Sequence, residues 1–188
     1  VLLSNLLNDQ TVDGYYAQSF QQLVHMQGID GTDHFPEYGY EKLIAEMQLF
    51  TDWLLPSLQI QPTNEQQGLI KRSFAILANA AVAQPQVIVH RDFHSRNLMK
   101  IADEHDLGII DFQDAVIGAD TYDLISITRD AYVQWPLARV EQWFKTFYDL
   151  LPTAQKQNRD FEQFKKDADL MAMQRHLKIL GIFVRLFE

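Results

Sequence analysis

Cysteine is absent from the 188 residues, which excludes a disulfide framework, a thiolate metal site and a cysteine nucleophile together. No apolar run approaches the roughly 20 residues that cross a bilayer, and the opening VLLSNLLNDQ lacks the basic stretch of a secretory signal, so no membrane partner is expected. Basic residues are scarce as well. Sixteen Lys and Arg stand against 25 Asp and Glu, a formal charge of −9, and nucleic-acid binding needs clustered cations, so no nucleic-acid partner is expected either. The acidic balance better suits a cationic small molecule or a metal–nucleotide complex. Internal repeats, low-complexity tracts and Gly/Ser linkers are missing too, so residues 1–188 read as one unit, expected to be cytoplasmic and monomeric. At 47% hydrophobic, a chain of this length can bury an ordinary core.

What is present is mostly helical. The segment from Val12 to Gln27 has helical character, with Gly28 to close it. From Pro36, placed as a first-turn proline, an apolar stripe runs through Leu43, Met47, Phe50 and Leu54 until Pro56. Thr63 and Gln66 have the form of a capping box, and Ile70, Phe74, Leu77 and Ala81 follow at helical spacing. After Pro85 the period changes, and Val87–Val89, Leu98–Ile101 and Leu107–Ile110 read as short strands, the last two joined by the turn ADEHD into an antiparallel hairpin. Helices resume after Asp120, over TYDLISITRDAYVQW, from Pro136 to Leu150, and in a closing stretch striped by Met173, Leu177, Leu180 and Val184. The fold class expected is α+β, mainly α-helical, with a small β insert.

The insert carries the polar chemistry. HRDFHSRNLM, His90 to Met99, follows an apolar strand directly. In an antiparallel hairpin the residue before the first strand and the residue after the second lie side by side, here Asn97 and Asp111. An amide oxygen beside a carboxylate is a hard oxygen site that Mg²⁺ accepts, with water and phosphate oxygens completing its shell. Asp92, five residues before Asn97 on the same loop, is placed to accept a proton.

The string His90-Arg91-Asp92-Phe93-His94-Ser95-Arg96-Asn97 resembles the H-R-D-x-x-x-x-N loop of the protein-kinase superfold, and Ile110-Asp111-Phe112 falls where its D-F-G aspartate belongs. His94 within the loop and Gln113 in place of the glycine are similar to the aminoglycoside phosphotransferase and choline kinase family. Within that family HRDFHSRNLM, DFQDAVIGADTYDLISITRD and QRHLKILGIFVRL resemble the bacterial anomeric kinases of N-acetylmuramate and N-acetylglucosamine that serve cell-wall recycling. The resemblance implies a kinase-like C-terminal lobe whose hairpin carries the catalytic and metal loops, ATP and Mg²⁺ as cofactors, and a small amino sugar as acceptor. Asp92 would be the base, and Asn97 and Asp111 the metal ligands. His90, His94 and Asp123 would support the loop, with Asp123 hydrogen-bonded to its backbone. Glu46, Asp52, Trp53 and Asp114 are the candidates for substrate binding. Neither a glycine-rich phosphate loop nor a suitably placed lysine occurs before His90, since Lys42 and Lys71 sit in helical patterns. The nucleotide lobe is therefore expected to lie outside this chain, which opens on Val1 rather than Met.

Other readings stay open on the residues alone. His90, Asp92 and His94 alternate and could bind zinc in a metallohydrolase. An aminoglycoside, choline or homoserine could be the acceptor, and a kinase-like binding module could keep the fold without catalysis. Asp120 could be a helix N-cap with Asp123 at N3, where a negative charge favours the helix dipole. Arg175 and Lys178 read as a solvated helix face.

Overall fold

The computed structural model describes residues 1–30, 34–101 and 107–187, and the ADEHD turn lies outside them. Helices dominate, as the periodicities imply. Helix α1 runs Val12–Gln27 and ends at Gly28, α2 runs Tyr40–Leu49, and α4 runs Asn64–Val82 behind the Thr63–Gln66 capping box, in which each side chain meets the other's backbone N–H. Between α2 and the short α3, Leu55–Ser57, the chain makes a π turn over Phe50–Leu54. Pro56 has no N–H for a regular helical ladder and its ring would strike the carbonyl four residues back, so a wider turn just before it relieves the conflict. The π turn advances the helical face by one residue: Leu43 and Met47 are buried as the stripe predicts, but Leu55 rather than Leu54 continues it. Pro36 does not start the helix. Its carbonyl accepts the Ile117 N–H, and residues 36–39 approach the structure extended, with Gly39 as the N-cap.

The β insert forms two small antiparallel sheets. Strand β2, Leu98–Lys100, pairs with β3, Leu107–Ile109, in the register Leu98 to Ile109, which is the expected hairpin pairing. Strand β1, Gln86–Val89, pairs with β4, Val116–Ala119, a strand the periodicity did not single out. The N-terminal residues brace the hairpin through a bridge from Leu2 to Met99.

Helix α5 spans Tyr122–Thr128, half the length that TYDLISITRDAYVQW suggests. Ser126 and Thr128 turn their hydroxyls back onto the carbonyls of Tyr122 and Leu124, and Asp130 then accepts the Tyr132 N–H in a local turn, so the helix loses its continuation. Helices α6, Leu137–Leu150, and α7, Thr153–Lys156, lead to α8, Phe161–Phe187. The buried face of α8 is not the expected stripe. Met173 and Leu180 are exposed, while Phe164, Ala168, Met171, Arg175, Lys178 and Gly181 face inward. α8 packs across α2, the π turn, α4 and α5, so one continuous core runs beneath the insert. Among the described residues, no helix is long and apolar enough to cross a membrane.

Candidate active site

β1 delivers the polar loop, residues 90–97, to the surface of that core. Phe93 and Ser95 are fully buried beneath it, and the Ser4 N–H donates to the Ser95 carbonyl at 2.9 Å. The loop is held from below by Asp123, whose carboxylate accepts the His90 N–H at 2.6 Å and the Arg91 N–H at 3.0 Å. Burial pushes this carboxyl up to about 7, against the opposing pull of the two N–H donors and of nearby Arg175. Asp120 is not the N-cap of α5, a position taken by Thr121. It is buried in an ion pair with Arg159, which also bonds Asp167 at 2.9 Å.

Arg91 has φ 74°, a left-handed conformation that costs a non-glycine residue about 1 kcal/mol or more. Three contacts hold it there: its N–H on Asp123, its carbonyl accepting from Arg175 Nη1 at 3.1 Å, and its guanidinium donating to Glu46 at 2.6 Å. The turn this forces sends the chain from β1 toward Asp92, which is half-buried on the wall of a cleft of about 180 Å³.

The His90 ring lies under the loop with Nε2 3.0 Å from the Ile110 carbonyl. Its buried Nδ1 has no partner among the described residues, which fits a neutral ring with the proton on Nε2, and burial depresses its pKa below the ordinary 6.5. His90 thereby links the polar loop to the residue before Asp111. At the hairpin mouth the Ile110 N–H donates to the Asn97 carbonyl at 3.0 Å, and Asn97 Nδ2 donates to the Asp92 carbonyl at 3.0 Å and stands 3.4 Å from Asp111 Oδ2. With its nitrogen so engaged, Asn97 leaves its amide oxygen without a hydrogen-bond partner among the described residues, beside a carboxylate. Asp111 is exposed, has φ 69°, and accepts from Gln113 Nε2 at 2.5 Å. In this arrangement the amide nitrogen faces Asp111, so a Mg²⁺ ion at the exposed Asp111 carboxylate would take the Asn97 oxygen as a second hard donor only with the amide turned over, drawing its other ligands from water and phosphate.

His90, Asp92 and His94 do not gather as a zinc site would require. His90 is turned under the loop and His94 stands edge-on to Tyr132, ring centroids 5.7 Å apart. Among the described residues no group of three His, Asp or Glu side chains converges to hold a metal. Glu46 faces inward, in ion pairs with Arg91 at 2.6 Å and Lys178 at 3.0 Å, and accepts the Tyr38 hydroxyl. Asp52 and Trp53 lie on the π turn and Asp114 is exposed in the turn before β4; the cleft beside Asp92 is lined by other residues. Sequence reasoning missed Arg175 and Lys178. Their signal was spacing: Phe164, Ala168, Met171, Arg175, Lys178 and Gly181 recur every three or four residues once polar side chains are admitted to the stripe. Both end on the Tyr122 hydroxyl at 3.1 Å, tying α8 to α5 beneath the loop.

The chain is similar to known proteins over most of its length. Residues 1–162 match the group described as the phosphotransferase enzyme family. A Pseudomonas putida protein named N-acetylmuramate/N-acetylglucosamine kinase is 37% identical over 184 residues, covering 97% of this chain and 54% of that protein. Its namesake from Neisseria meningitidis serogroup B is 34% identical over 194 residues, covering 98% and 56% respectively. The chain thus spans about half the length of the curated relatives it matches. Among solved structures, an aminoglycoside 2'-phosphotransferase-IIIa in complex with GDP superposes with TM-score 0.62 at 14% identity, over 98% of this chain and 59% of that one. A Plasmodium vivax ethanolamine kinase gives 0.61 at 11% identity, over 87% and 52%. These two share the fold. Asp92, the Asn97–Asp111 pair, His90 and Asp123 stand on that fold in a chain matched over most of its length, and the chain belongs to the phosphotransferase enzyme family.

Proposed function

We propose that the protein containing this chain transfers the γ-phosphoryl group of ATP to the anomeric hydroxyl of N-acetylmuramate or N-acetylglucosamine, in the cytoplasm, as part of cell-wall recycling. The reading is supported by one observation: in a chain 37% identical to a kinase of that name, Asn97 bonds the Asp92 backbone carbonyl and stands beside Asp111 at the hairpin mouth. Asp92 accepts the acceptor hydroxyl's proton and aligns its oxygen with the phosphorus. Asn97 and Asp111 would hold Mg²⁺, which when bound would neutralise phosphate charge. Asp123 and His90 keep these groups in register by fixing the loop from below, since phosphoryl transfer depends mainly on positioning and charge. A phosphate-covering loop and its lysine come from another part of the protein, because Lys42 lies over the Tyr38 ring and Lys71 lines a groove between α2 and α4.

The test is a panel assay of the full-length protein with ATP and N-acetylmuramate, N-acetylglucosamine, choline, homoserine and an aminoglycoside, reading product position by phosphorus NMR. An anomeric phosphate on an amino sugar is expected. Transfer confined to the aminoglycoside would reject the recycling role and leave the phosphotransfer chemistry standing.

A further inference from the structure

Tyr132 remains 47% exposed although two side chains of the polar loop hold its ring: the Arg96 guanidinium lies 3.6 Å from its centroid and His94 meets it edge-on. Asp130 is fastened to the same loop, one oxygen accepting from the buried Ser95 hydroxyl at 3.1 Å and the other from the Tyr132 N–H at 3.1 Å. The segment where α5 breaks off is thus locked to the loop that carries Asp92. Asp130 and Tyr132 line the cleft beside Asp92, and Ile179, Ile182 and Phe183 of α8 supply an apolar wall to it. The buried Nδ1 of His94, another lining residue, has no partner among the described residues.

A carboxylate, a rigid aromatic ring and an apolar wall around one small cleft suit a ligand with hydroxyls at its edge, an apolar ring face and a short apolar substituent. An N-acetylated sugar has that form. The cleft, about 180 Å³, has the size of a single sugar ring, below the roughly 300–1,000 Å³ of pockets that take drug-sized ligands. We propose that Asp130 and Tyr132 determine acceptor specificity, Asp130 accepting hydrogen bonds from sugar hydroxyls and Tyr132 packing on the ring face. The inference deepens the phosphotransferase reading and rests on it.

Asp130→Asn, Tyr132→Ala and Tyr132→Phe in the full-length protein test it, with acceptor KM, ATP KM and kcat measured separately. Asp130→Asn keeps the shape, with its one amide oxygen left to accept the Tyr132 N–H and its amide nitrogen donating to the Ser95 hydroxyl oxygen instead of accepting from it. It and Tyr132→Ala should each raise acceptor KM about tenfold or more while ATP KM and kcat stay within about twofold, a loss of binding shared by ground and transition states. Tyr132→Phe, which retains the ring, should recover most of the affinity lost in the alanine variant. Unchanged acceptor KM in both, or a parallel fall of kcat and ATP affinity, would overturn the assignment while amino-sugar turnover kept the functional reading. Turnover of a different acceptor, with its KM still sensitive to both residues, would reject the amino-sugar reading and keep the assignment. Neither turnover nor calorimetric binding of any panel acceptor would reject both.

Discussion

Asp92→Asn in the full-length protein is expected to lower kcat by roughly 10²- to 10⁴-fold with little change in nucleotide affinity, the range for loss of a general base. Asn97→Ala and Asp111→Ala should instead weaken Mg-ATP binding together with turnover, because they remove oxygen donors from the hairpin mouth. Steady-state kinetics with nucleotide titration separate the two classes. His90 carries a pH prediction. Burial holds its folded pKa below the ordinary 6.5, so as pH falls below that value the unfolded chain takes up a proton that the folded chain refuses. The stability this contributes is complete above 6.5 and is lost as pH falls through the depressed folded value. His90→Gln, neutral throughout and able to donate to the Ile110 carbonyl, should show a smaller drop in Tm than wild type between about pH 7.5 and about pH 5.5. Asp123, pushed up to about 7, acts with the opposite sign in both proteins, so the difference between them isolates His90. An equal drop in both would show that His90 does not titrate differently on folding.

At the scale of elements, the crossing of α8 over the end of α2 depends on Gly181. A Cβ at that position would stand 2.6 Å from Leu49 Cβ and closer still to the Leu49 carbonyl, and backbone cannot move aside as a flexible side chain can. Gly181→Val should therefore cost about 1–3 kcal/mol or more in chemical denaturation, the usual penalty of overpacking. A stability equal to wild type would mean that the two helices separate freely. The elements with local causes were legible: Gly28 closing α1, the Thr63–Gln66 box opening α4, and the β2–β3 pairing that brings Asn97 to Asp111. β4 was not, because Val116–Ala119 is too short to show a period and is defined by its partner β1. α5 was overextended, because its apolar pattern continues past Thr128 while side-chain bonds to the backbone end the helix.

For the molecule as a whole, Glu46 joins the helical core to the polar loop. It pairs with Arg91 and with Lys178, both nearly enclosed, so Glu46→Gln leaves two buried cations short of an anion. Breaking such a pair from one side costs about 3–5 kcal/mol. If Glu46 acts through Arg91, with which it pairs, a lowered Tm with reduced kcat and unchanged acceptor KM is expected. A selective rise in acceptor KM would instead support the substrate-binding role its helix suggests. Residues 1–188 on their own are expected to bind ATP weakly and transfer no phosphate, as the inferred phosphate-covering loop lies elsewhere. Sugar-dependent ATP turnover by this segment alone would contradict that division of labour.

Local chemistry in the sequence was enough to determine the helical class, the hairpin and the H-R-D-x-x-x-x-N pattern with its Asp111 partner, because caps, short-range period and motif spacing act over a few residues. Only the tertiary structure decided that Arg175 and Lys178 are core residues, that Glu46 faces inward, that Asp120 pairs with Arg159, and that Asp130 and Tyr132 stand beside Asp92. A charged side chain enters a core only where partners distant in the chain compensate it. Arg175 finds the Arg91 carbonyl 84 residues away and Tyr122 53 residues away, so its burial depends on how the whole chain folds back on itself.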